Sequence, residues 1–196
     1  MPPADNAGRE FAKQMYRLFE VQYKPTYTSF AMSFILMDFH HPLRQYRQRV
    51  EDGRQKTGLW WHTTANLKSA KKSTLRTWMR RRLRWAFSGE LERRGMSDTG
   101  KILHTPGTQY PAIKAMLALG KDVSLTGSLR MQVQPALLTA KHEEVKKETG
   151  ALIDILLRNL DKELAQHSRS VQQSQNRSHT QRVRGTSGQK EFSLVW

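Results

Sequence analysis

The chain has 196 residues, no cysteine, and 33 Lys and Arg against 17 Asp and Glu, a formal charge of +16. Without cysteine there is no disulfide framework, no thiol nucleophile and no cysteine-ligated zinc, which excludes a small secreted disulfide scaffold. Only 37% of residues are hydrophobic, below the ~45–50% of ordinary globular chains, so part of the chain is expected to lie outside the core.

Residues 7–23 read as a basic amphipathic helix, with Phe11, Met15, Leu18 and Phe19 at helical spacing and Arg9, Lys13 and Arg17 on another side. A core helix is expected there. A mitochondrial presequence or a membrane-surface helix is the alternative, against which Glu10 and Glu20 count. No secretory signal is expected, because Asp5, Asn6 and Glu10 occupy the apolar region it needs. Residues 26–39 form an apolar, aromatic segment expected to be a buried helix or a buried strand. Its longest apolar stretch, 30–37, is far too short to cross a membrane. Pro42 suits the first turn of a helix through Val50, with Leu43, Tyr46 and Val50 as its stripe and Gly53 as its stop. Residues 55–66, with Trp60-Trp61, read as a loop.

From 67 to 94 the apolar spacing is helical and sustained, and Gly95 after Arg93-Arg94 is a left-handed cap behind a cationic last turn. Residues 112–119 read as a short helix. Over 123–133, Val123, Leu125, Leu129, Met131 and Val133 alternate with polar residues, a half-buried strand. One strand is not stable alone. Its partner is expected to be residues 101–104, part of 27–37, or another protein. Pro135 ends it. Residues 141–166 read as a second long helix whose apolar face is Val145, Leu152, Ile153, Leu156, Leu160 and Leu164. The polar stretch from 166 to 196 is expected to be a disordered basic tail. The fold class is therefore mainly α with a small β element (α+β): a domain over 1–165 with a basic helix at 67–94, then the tail.

Catalytic patterns are missing. There is no zinc-protease helix motif, no Gly-x-Gly-x-x-Gly and no Gly-x-Ser-x-Gly, and Gly120-Lys121 is followed by Asp122, not Ser or Thr. Asp38-Phe39-His40-His41 is the one group with metal or acid–base character. Adjacent histidines diverge, and His41 precedes Pro42, so turn histidines are expected. No enzyme activity, cofactor or metal site is assigned.

The charge is concentrated. Residues 66–94 hold ten basic and two acidic side chains, half of the net excess. Clustering of this kind points to a polyanionic partner rather than to solubility alone. The candidate phosphate-contacting residues are Lys68, Lys71, Lys72, Arg76, Arg80, Arg81, Arg82 and Arg84, with Arg44, Arg47 and Arg49 as second choices. Arg at 80, 81, 82 and 84 spans more than one turn and surrounds much of the helix. Guanidinium suits bidentate phosphate contact. Trp78 and Trp85 lie seven apart on one face, either in the core or available to stack on unpaired bases; Trp60-Trp61 carries the same two readings.

Gly58-Leu59-Trp60-Trp61, then Leu67, Lys72, Arg76 and Arg80 to Arg84, resembles the Gly-Leu-Leu-Trp and Arg-rich helix of a small basic protein of the fungal mitochondrial large ribosomal subunit, over 27 of the 196 residues. That resemblance implies a structural role on rRNA, without catalysis, in mitochondria. The expectation is an RNA-binding component of a ribonucleoprotein particle, ribosomal or mitochondrial ribosomal, with rRNA and neighbouring proteins as partners. Nuclear and cytoplasmic particles are the other compartments. A DNA-binding regulator, a metal-dependent nuclease or RNA-processing factor, and a peripheral membrane protein are the rivals.

Overall fold

The computed structural model describes residues 16–30, 33–104 and 110–186. The chain builds a mixed α+β fold around one strand, β3 (Gly127–Val133). Leu129, Met131 and Val133 fall on one side of it and are fully buried, as the period of two requires. β3 is the middle strand of a three-stranded sheet, between β1 (Phe19–Lys24) and β2 (Leu59–Thr64). β1 runs antiparallel to it, Phe19 opposite Val133 and Tyr23 opposite Leu129. β2 runs parallel to it, Leu59 opposite Gly127 and Thr64 opposite Gln132.

This sheet overturns three expectations. The helix read over 7–23 is a strand from Phe19 onward, while residues 7–15 lie outside the described residues. Phe19, Val21 and Tyr23 alternate with Glu20, Gln22 and Lys24, and pairing with β3 buries Phe19 and Val21. The loop read over 55–66 contains β2, in which Leu59, Trp60 and Thr63 are buried. β3 therefore needs no strand from another protein, since β1 and β2 occupy both of its edges. Residues 101–104 do meet the alternating run, but only at its start, through a bridge between Lys101 and Ser124 and the Ile102 N–H donating to Val123 O at 3.0 Å.

Among the described residues there are five α-helices: α1 (Ser33–Met37), α2 (Arg44–Gly53), α3 (Ser73–Arg93), α4 (Pro111–Ala118) and α5 (His142–Thr186). A 3₁₀ turn, Pro135–Leu138, joins β3 to the start of α5. α3 and α5 cover one face of the sheet. Met79, Leu83, Ala86, Phe87 and Leu91 from α3 and Val145, Leu152, Ile153, Leu156 and Leu157 from α5 share one core with Phe19, Val21, Leu129, Met131 and Val133. α3 starts six residues later than its apolar spacing suggests, and Leu67 is exposed. It ends as read: Gly95 has φ 70°, its N–H bonds Glu92 O, and the Met96 N–H reaches back to Leu91 O, a closed left-handed C-cap. Beyond that cap the Arg94 guanidinium bonds both carboxylate oxygens of Asp154, the Gly150 carbonyl and Glu90. This ties the end of α3 to α5. α4 lacks a capping side chain of its own; Asp161 of α5 accepts from the Ala112 and Ile113 N–H groups instead.

The chain after β1 turns back over the other sheet face. The Thr28 N–H donates to Ser128 Oγ at 2.8 Å, Tyr27 packs on Trp60, and Phe30 packs on His62. Residues 26–39 are not the buried element expected: Ile35 is buried, but Met37 and Phe39 are exposed. α2 lies where Pro42 and Gly53 suggest, yet none of its residues is buried, and Leu43, Tyr46 and Val50 face solvent. α5 does not end near 166. Residues 167–186 of the tail expected to be disordered are helical, and 187–196 lie outside the described residues. No Gly or Pro occurs from 151 to 184, so a helix already nucleated against the core propagates through polar sequence.

These burials predict a contrast in stability. Leu83→Ala is expected to cost about 2–5 kcal/mol, as for other buried leucines. Val50→Ala on the exposed stripe of α2 is expected to stay within about 0.5 kcal/mol. Urea unfolding monitored by circular dichroism measures both, and a large loss at Val50 would contradict its exposure.

Candidate nucleic-acid interface

The cations of 66–94 are held by two devices. A turn at 66–69 comes first: Asn66 Oδ1 accepts from the Ser69 N–H at 2.9 Å, and Ser69 Oγ donates to Val133 O at 2.6 Å, so the turn is fixed to the end of β3. Arg76 then reaches back from the first turn of α3 and donates to the carbonyls of Ala70 (2.9 Å) and Lys71 (2.6 Å). Lys68, Lys71 and Lys72 are left exposed on a braced turn.

On α3 the four arginines separate. Arg82 donates to the carbonyls of Leu137 (3.2 Å) and Ala140 and sits 5.1 Å from the centre of the Trp78 ring. It holds the turn before α5 and is half-buried. Arg80, Arg81 and Arg84 are exposed. With Thr77 they follow a spacing of three, four and seven, one helix face, and that face meets the edge of β2. There Thr63, Thr77, Arg80, Arg81 and Arg84 line an open recess of about 220 Å³ without a carboxylate. Arg80 donates to Thr77 Oγ1 at 3.1 Å, which directs its guanidinium along the recess. No Asp or Glu occurs between Asp52 and Glu90. Three guanidinium groups and the Thr77 hydroxyl form a set of donors suited to phosphate oxygens, while the Thr63 hydroxyl donates to Arg80 O at 3.5 Å.

Compared with known proteins, the chain matches no family model, no curated protein and no solved structure. Of the candidates read from sequence, Lys68, Lys71, Lys72, Arg80, Arg81 and Arg84 are exposed, and Arg80, Arg81 and Arg84 meet in the recess. Arg76 and Arg82 are committed to backbone carbonyls. Arg44, Arg47 and Arg49 lie on α2 and none lines the recess; Arg44 stacks over Phe39 with 4.0 Å to the ring centre. Arg93 and Arg94 pair with Glu90 at the far end of α3. Trp60 is buried, and Trp61 packs on Phe87 and donates its Nε1–H to Asp98 O. Both belong to the core side of their alternatives. Trp78 and Trp85 do not: they are 47% and 72% exposed.

Asp38 and His41 shape the turn between α1 and α2. Asp38 Oδ1 accepts from the His40 N–H and His41 Nδ1 accepts from the Leu43 N–H. Among the described residues no three His, Asp or Glu side chains gather as a metal site needs, and no helix is long and apolar enough to cross a membrane.

Thr63, Thr77 and His62 were not singled out by sequence. Thr77 was legible, since it shares the helix face of Arg80, Arg81 and Arg84. Thr63 and His62 were hidden because their strand reads as a loop. His62 lies next to Thr63 on β2, with its Nε2 buried and unpartnered among the described residues. Burial, and the charges of Arg130, Arg54 and Arg84, push its imidazole below the ordinary value of 6.5.

Two measurements test this geometry. Because the His62 pKa is lowered in the fold, the unfolded chain takes up the proton first. The stability it contributes is therefore full above about pH 6.5 and is lost as pH falls through the folded value. NMR titration is expected to place the His62 ring midpoint below 6.5, and His62→Gln to shrink the loss of stability toward acid. Arg82→Ala is expected to cost about 1.5–3 kcal/mol, the range for hydrogen bonds from charged groups. Arg81→Ala is expected to cost less than about 0.5 kcal/mol. Equal losses in urea unfolding would contradict the division of labour among the arginines.

Proposed function

We propose that this protein is an RNA-binding structural component of a ribonucleoprotein particle. We propose further that its basic face neutralises backbone phosphates rather than reading bases. The observation that carries this is the carboxylate-free recess of Arg80, Arg81, Arg84, Thr63 and Thr77, continuous along the chain with the exposed lysines of the 68–72 turn. The fold brings three arginines together with no carboxylate paired to them among the described residues, which costs free energy through mutual repulsion unless a polyanion is present. A ribosomal particle, mitochondrial by the resemblance of residues 58–84, is the assignment we favour. rRNA and neighbouring proteins are its partners in this reading, and no catalytic step is part of it. Asp38 and His41 act as turn-forming groups, which weighs against the nuclease alternative.

The test is the salt dependence of binding. Six exposed cations, Lys68, Lys71, Lys72, Arg80, Arg81 and Arg84, imply a slope of about −4 in log K against log salt, at about 0.7 per contact for single strands. Replacing Arg80, Arg81 and Arg84 by Gln is expected to bring the slope to about −2. Replacing Lys141, Lys146 and Lys147 is expected to leave it unchanged. A slope near zero, or equal effects from the two triple variants, would overturn the proposal. Tighter binding to a DNA duplex of matched length would favour the DNA-regulator reading instead.

A further inference from the structure

Trp85 is 72% exposed on a helix that buries Met79, Leu83, Ala86, Phe87 and Leu91 completely or nearly so. Its indole takes part in no ring stacking or cation–π contact among the described residues. Trp78, two turns earlier on the same face, is 47% exposed, and its ring is flanked by the Arg82 guanidinium, which is itself anchored to two backbone carbonyls. Arg81 stands between them, three residues after Trp78 and four before Trp85, so it borders both indoles while also lining the recess. Two large aromatic side chains left in water cost hydration free energy that a solvated helix face has no need to bear. Here they adjoin guanidinium groups that pair with no carboxylate among the described residues.

We propose that this face binds single-stranded RNA, with unpaired bases stacked on Trp85 and Trp78 and a backbone phosphate held in the recess by Arg80, Arg81 and Arg84. The proposal rests on the phosphate-binding reading above and names the form of the ligand. An indole lying on a helix surface stacks only on a base whose face is free. In a duplex each base face is covered by its neighbours, and the A-form major groove is too narrow to admit side chains. Seven residues of helix separate the indoles by about 10.5 Å, roughly three stacked steps of about 3.4 Å, so the strand spans at least four nucleotides. Stacking of this kind is tolerant of sequence, which fits a site made otherwise of phosphate donors.

The experiment is fluorescence anisotropy with the full chain and two labelled ligands: a twelve-nucleotide unstructured RNA, and a duplex RNA with the same number of phosphates. The single strand is expected to bind more tightly. Trp85→Ala, at an exposed position, is expected to weaken single-strand binding about 5- to 150-fold, the span found for loss of one base–aromatic stack. It should leave duplex affinity and the salt slope unchanged. Trp78→Phe is expected to retain most of the affinity, because it keeps a stacking ring. Duplex binding equal to or tighter than single-strand binding would overturn this proposal while leaving the phosphate reading intact. So would a Trp85→Ala variant with unchanged affinity, which would point to a protein neighbour on the indole. Loss of salt dependence in the parent chain would remove the phosphate reading itself.

Discussion

The rotational setting of α3 is the constraint on which the rest depends. One side of this helix carries Met79, Leu83, Ala86, Phe87 and Leu91, all buried against the sheet and α5. Each contributes on the order of 1.5–3 kcal/mol through burial, less for Ala86. Turning the helix by one residue, about 100°, would drive guanidinium groups into that core. Arg94 and its bonds to Asp154, Gly150 and Glu90 fasten the other end. Gly150 leaves room for this: a Cβ on it would lie 3.0 Å from both the Arg94 and Glu90 side-chain atoms, which would have to shift by a few tenths of an ångström. Once α3 is set this way, Thr77, Arg80, Arg81 and Arg84 can only face outward, along the edge of β2.

The same constraint sorts the cations into two populations. Arg76, Arg82 and Arg94 are absorbed by carbonyls and carboxylates and work within the fold. Arg80, Arg81 and Arg84, with the turn lysines, pair with no carboxylate among the described residues. A protein under selection for stability alone disperses such charge or intersperses acids. Here the acids of α3 gather at its last turns, where Glu90 holds Arg93 and Arg94. His62, beside them on β2, is held below its ordinary value first by burial and then by the charges of Arg130, Arg54 and Arg84.

Some of this architecture is local. The period of two over β3, the apolar spacing of α3 and α5, the Gly95 cap and the extent of α2 between Pro42 and Gly53 are properties of short windows, and the structure keeps them. The concentration of charge between Lys68 and Arg84 was legible for the same reason. What each face meets depends on long-range packing. The stripe of Leu43, Tyr46 and Val50 is amphipathic on paper, yet α2 turns it to solvent, because periodicity says which residues share a face and not what lies opposite. Phe19–Lys24 and Leu59–Thr64 became strands only through pairing with β3, from about 110 and 70 residues away in the chain. No local window contains that partner. The recess followed from the same pairing: Thr63 joins Arg80, Arg81 and Arg84 because β2 is an edge strand beside α3. A sequence lists its cations; only packing separates those that hold the fold together from those left to meet a ligand.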